Sequence, residues 1–172
     1  ALGLYKGDRV GIWSPNRVEW LIAQIATARL GIILVNINPA YKGAELEYCI
    51  NKVDLKCLIF ATQFKSSAYA KTILDLCPEL VKQKPGHLDL KKLPSLRVLV
   101  QISEKPIAGA YSFQDVVKKA TTGYFERLDH ISDGLRPDEA INIQFTSGTT
   151  GAPKGATLSH KNIINNAVSC AK

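Results

Sequence analysis

The run Thr146 to His160, TSGTTGAPKGATLSH, gathers residue types suited to holding a polyphosphate. Such an anion needs converging donors, a backbone that can come close, and a positive charge for its oxygens. Ser147, Thr149 and Thr150 offer hydroxyls. Gly148, Gly151 and Gly155 carry no Cβ, so the chain can turn through positive φ and present successive N–H groups. Pro153 fixes its own φ and biases Ala152 toward an extended conformation, which stiffens the turn just before Lys154. Lys154 is the only full charge between Thr146 and Gly155, a point charge on a flexible stem. Each charge-assisted hydrogen bond is worth about 1.5–3 kcal/mol net, so a few of them suffice to hold a nucleotide. A plain glycine-rich hairpin loop is the competing reading. The spacing is not that of a Walker loop, because Ala152 and Pro153 stand where a Gly-Lys pair would be needed.

The flanks favour the phosphate reading and define the elements that must position it. Ile141 to Phe145 alternates like a strand, Ala156 to Leu158 resumes one, and Ser159 is placed to cap a helix from His160. Upstream, Arg9 to Ser14 reads as a strand. Asn16 with Glu19 resembles a capping box, and Val18, Leu21, Ile22 and Ile25 share a helical face before Gly31 ends the helix. Strands are expected at Ile32 to Asn36, Lys56 to Phe60 and Leu96 to Ile102. Helices are expected near Ala44 to Asn51, from Lys65 to Cys77 with Pro78 as terminator, and from Ser112 with Asp115 through Lys119. This strand–helix rhythm implies an α/β fold with a mixed, mostly parallel sheet flanked by helices. The first turn, Ser14-Pro15-Asn16, lacks the glycines of a dinucleotide fingerprint.

Taken together, these residues resemble the adenylate-forming acyl-CoA synthetases, a family that includes luciferases and the adenylation domains of peptide synthetases. The match to the family's phosphate loop is ungapped from Thr146 to Gly155 and continues through Leu158-Ser159-His160. It extends upstream through Gly7-Asp8-Arg9-Val10, Ser14-Pro15-Asn16, Glu19-Trp20, Asn38-Pro39-Ala40-Tyr41 and Glu45-Leu46-Glu47-Tyr48. Within the family, Ile141 to Phe145 and Gly155 to Leu158 are most similar to mitochondrial medium-chain enzymes. The resemblance implies that residues 1–172 form a partial N-terminal AMP-binding domain. It implies that Thr146, Ser147, Gly148, Thr149, Thr150, Gly151, Ala152, Pro153, Lys154 and Gly155 bind the phosphates of ATP. The implied reaction activates a carboxylic acid with Mg²⁺-ATP to an acyl-adenylate and pyrophosphate, then transfers the acyl group to CoA. A coumarate-type ligase or a non-catalytic nucleotide-binding protein are the alternatives. The family's acyl pocket, adenine and ribose segments, magnesium-binding acid and adenylation lysine would lie beyond Lys172. The chain also lacks Met and stops inside the expected last helix, so it is expected to be part of a longer protein and inactive alone. A mitochondrial location is implied, with the cytoplasm as alternative.

Composition adds little. The 172 residues carry a formal charge of +7 and 46% hydrophobic content, which suits one globular core. No apolar run approaches the roughly 20 residues needed to span a bilayer. Lysines between Lys82 and Lys92 read as a solvated connection, and without interleaved aromatics no nucleic-acid platform is expected. Cys49, Cys57, Cys77 and Cys170 lack metal or redox spacing and read as buried free thiols. Trp13, Trp20 and Tyr48 are expected to pack, as are Val18, Ile25, Leu46, Leu58 and Val98. His160 is expected to help packing or capping, and no acid pair suggests general acid–base work.

Overall fold

A computed structural model describes residues 2–146 and 152–171. A seven-stranded sheet in the order β7-β6-β3-β1-β2-β8-β9 forms its centre, with β1 Arg9–Trp13, β2 Ile33–Ile37, β3 Cys57–Phe60, β6 Val98–Gln101, β7 Ala110–Ser112, β8 Ala140–Thr146 and β9 Lys154–Ser159. Every neighbouring pair is parallel except β8 with β9. This is the expected mixed, mostly parallel sheet. Helices α1 Val18–Arg29, α2 Gly43–Lys52, α3 Tyr69–Leu76, α4 Phe113–Lys118, α5 Thr122–Asp133 and α6 His160–Cys170 complete the chain with a 3₁₀ turn at Pro78–Lys82.

The central strands are apolar on both sides because both of their faces are covered. Leu58 and Phe60 face one core with Leu46 and Ile50 of α2 and Tyr69 and Ile73 of α3. Cys57, Ile59, Val10 and Ile12 face a second core with Ala23 of α1 and Phe113 of α4. Gly31 ends α1 with φ +64, and an added Cβ would meet Leu135 Cδ2 at 2.8 Å and Lys6 Cγ at 2.9 Å. Ser112 caps α4 as expected by accepting from Asp115 N at 3.4 Å.

Several expectations are corrected. Asn16 does not cap α1; Arg17 holds the extended N-cap position and its Nε donates to Glu19 at 3.2 Å. That guanidinium holds the Glu19 carboxyl below its usual range. Val18, Leu21, Ile22 and Ile25 are exposed rather than core. The segment before α3 is a short hairpin, β4 Gln63–Phe64 with β5 Ser67–Ala68, turning through Lys65 at φ +52, which a helix cannot accommodate. Cys49, Cys57 and Cys77 are buried free thiols, but Cys170 is exposed.

Candidate functional site

Parallel pairing puts the carboxyl ends of the strands along one rim. Trp13 lies opposite Ile37 and Phe60, Phe60 opposite Gln101, and Asn36 opposite Gln144. The turns that follow, Ser14-Pro15-Asn16, Asn38-Pro39-Ala40-Tyr41 and the connection after Thr146, therefore share one end of the sheet. Open α/β sheets bind ligands at this end.

β8 carries the candidate loop out of the core. Ile141, Asn142 and Ile143 are buried, Phe145 is half-buried, and Gln144 and Thr146 are exposed. β9 returns antiparallel, with Phe145 opposite Gly155 and Thr146 opposite Lys154. Thr146 Oγ1 donates to the Lys154 carbonyl at 3.4 Å, which ties the two stems at the mouth of the loop. Lys154 is exposed, and among the described residues no carboxylate forms an ion pair with it. Its charge is free to meet an anion.

Thr146, Ala152, Pro153, Lys154 and Gly155 are thus gathered at the loop mouth, while Ser147, Gly148, Thr149, Thr150 and Gly151 lie outside the described residues. Gly155 departs from the sequence argument. It is not among the glycines with positive φ, and its missing side chain provides space instead, since a Cβ would stand 3.2 Å from Ile143 Cγ2 and 3.7 Å from Phe145 Cε1.

Tyr48 is the residue whose ring the sequence suggests will pack and whose hydroxyl it gives no role. Its ring is half-buried on α2, and its hydroxyl donates to the Pro153 carbonyl at 3.2 Å, a contact across 105 positions. The run Glu45 to Tyr48 carried the family resemblance. Nothing in its spacing linked it to the loop; strand order supplies that link. Trp13 does pack, fully buried and stacked on Tyr69 with ring centroids 3.7 Å apart.

His160 starts α6, where Ser159 is the cap, accepting from Asn162 N at 3.2 Å. The His160 Nε2 is buried and has no hydrogen-bond partner among the described residues. The imidazole forms part of the wall of a cleft of about 1140 Å³ between α1, β8 and α6. Amides pave the cleft: Asn36 Nδ2 donates to Asn142 Oδ1 at 3.4 Å, and Asn142 Nδ2 to Gln24 Oε1 at 3.0 Å. None of residues 152–155 lines it. Among the described residues no group of three or more His, Cys, Asp or Glu could hold a metal ion. No described helix is long and apolar enough to cross a membrane.

Known proteins resemble this chain in sequence and in fold. The profile of the AMP-binding enzyme family matches residues 1–172. The medium-chain acyl-CoA ligase ACSF2, mitochondrial, of Macaca fascicularis is 47% identical over 167 residues, covering 96% of this chain and 27% of its own length. The solved anthranilate CoA ligase AuaEII in complex with anthranoyl-AMP superposes on 93% of this chain and 26% of its own, with 27% identity and a TM-score of 0.68. ATP-bound MatB from Rhodopseudomonas palustris does so over 98% and 28%, with 26% identity and a TM-score of 0.67. The chain therefore spans about a quarter of the length of the relatives it matches. With a mostly parallel sheet and a family match over its whole length, this chain belongs to the AMP-binding enzyme family.

Proposed function

We propose that residues 1–172 form part of the N-terminal domain of an ATP-dependent acyl-CoA ligase, and that Thr146 to Gly155 grips the phosphates of ATP. The observation that carries this reading is the mouth of the β8–β9 connection, where Lys154 sits opposite Thr146, exposed and without a carboxylate partner among the described residues. ATP in the MatB structure and anthranoyl-AMP, an acyl-adenylate, in the AuaEII structure support the same class of chemistry.

In the reaction proposed, a carboxylate oxygen attacks the α-phosphorus of ATP. The bond to the β-phosphate oxygen breaks, leaving an acyl-adenylate and pyrophosphate. The CoA thiol then attacks the acyl carbon, giving the thioester and AMP with loss of the thiol proton. The loop contributes no nucleophile. Lys154, with the hydroxyls and N–H groups that Ser147 to Gly151 bring by composition, stabilises negative charge growing on the departing pyrophosphate. The described residues offer no cluster for a metal, so Mg²⁺ is assigned no residue in this chain and no step is built on it. The substrate proposed is a medium-chain fatty acid and the compartment the mitochondrial matrix; the name of the ACSF2 relative supports the medium chain and the mitochondrion.

Lys154→Ala in the full-length protein tests the grip. Losing one charge-assisted contact of about 1.5–3 kcal/mol lowers ATP–pyrophosphate exchange about 10- to 150-fold. Unchanged exchange refutes the role of the loop. Running the wild type with acids of graded length tests the substrate class, and a preference for an aromatic acid would favour a coumarate-type ligase.

A further inference from the structure

We infer that Tyr48 is a positioning residue for Lys154; the inference rests on the phosphate role proposed for the loop. α2 holds Tyr48 firmly, because Leu46, Cys49 and Ile50 on the same helix are fully buried. Its hydroxyl donates to the Pro153 carbonyl at 3.2 Å. The pyrrolidine ring already fixes φ of Pro153. The direction of the carbonyl reports ψ, so the hydrogen bond restrains the one soft backbone dihedral that Pro153 retains. The Pro153 carbonyl and the Lys154 N–H belong to one planar peptide; orienting the carbonyl therefore orients the amide of Lys154 as well.

From the other side, Lys154 faces Thr146 in the β8–β9 ladder, and Thr146 Oγ1 donates to its carbonyl. The backbone of Lys154 is thus held from the proline, the neighbouring strand and a helix distant in sequence, while its side chain stays exposed. A long lysine stem gains precision when its origin is fixed, since the stem contributes only its own rotamers to the search for the phosphate. Packing alone does not ask for the hydroxyl on Tyr48. A phenylalanine would fill the same half-buried space.

The test compares Tyr48→Phe, Lys154→Ala and the double variant in the full-length protein. Two readings are taken: ATP–pyrophosphate exchange with a medium-chain acid, and thioester formation from supplied acyl-adenylate and CoA. Tyr48→Phe is expected to lower kcat/KM for ATP in exchange about two- to twelvefold, the worth of one neutral hydrogen bond, and to leave thioester formation from the adenylate unchanged. On the Lys154→Ala background the same substitution is expected to have almost no effect, because the two residues act as one unit. Wild-type exchange in Tyr48→Phe beside impaired Lys154→Ala overturns the inference and spares the phosphate role. Equal loss in both half-reactions, or full additivity in the double variant, overturns it too. Unimpaired Lys154→Ala brings down the phosphate role and this inference with it.

Discussion

The two faces of the sheet carry comparable helical patterns and are covered very differently. On one, α2, α3 and the 3₁₀ turn bury Leu46, Ile50, Tyr69, Ile73, Leu76 and Leu80 to between 0 and 7% exposure. On the other, α1 repeats the spacing in Val18, Leu21, Ile22 and Ile25, which remain 46–66% exposed. The residues of α1 that are buried are the small Ala23 and Thr27, and α6 buries none of its described residues. An apolar stripe states that a helix face favours cover, but topology decides which side of the helix meets the sheet. Local chemistry follows the same division. α3 has no side-chain cap and is held by its core residues, whereas α6 has a Ser159–Asn162 capping box and no core.

The largest expected effect separates the faces directly. Leu46→Ala should cost about 2–5 kcal/mol of stability, whereas Ile25→Ala should cost under about 0.5 kcal/mol, measured by urea denaturation of the protein. Equal costs would mean that the α1 face is covered in solution. A second effect probes how far openness reaches into the sheet. Cys57 lies beneath α1 and α4, and burial pushes its thiol up to about 12. An unfolded thiol titrates near pH 8.5, so above that the unfolded chain releases a proton that the folded chain keeps. Stability should fall as pH rises toward 12, by about 1.4 kcal/mol per pH unit from this thiol. The difference in slope between wild type and Cys57→Ala measures it; no difference would mean that water reaches β3. The smallest effect is local. Ser159→Ala should cost about 0.5–2 kcal/mol, seen as faster hydrogen exchange in α6 amides with α3 unaffected.

The sheet was legible in the sequence because its strands are short apolar runs bounded by turn residues, and Cys57–Phe60 and Val98–Gln101 fall inside the expected spans. Ser112 and Ser159 were legible as caps because their side chains act within three residues. α5 was not expected, and its described residues include none that is buried, so no periodic core contact marks it. The hairpin before α3 lies where the sequence suggests helix, because Lys65 gives no local sign that it adopts positive φ. At the candidate site, residue types pointed to the loop itself. The contact from Tyr48 was hidden, since it depends on β8 inserting beside β2 and carrying Pro153 to α2.

That insertion also orders the sheet in time. Leu34 pairs with Asn142, 108 positions later (142 − 34), whereas β8 and β9 meet across one short connection. A ribosome adding about 5–20 residues per second leaves the outer edge of β2 unpaired for roughly 5–20 s after its synthesis. The hairpin that bears the loop can close within microseconds of emerging, but it gains its place on the rim only when that waiting edge accepts it. Loop closure over so long a span is entropically slow. The pair of strands that bears the proposed phosphate loop therefore closes fast once it emerges, yet it is among the last pieces of the sheet to be put in position.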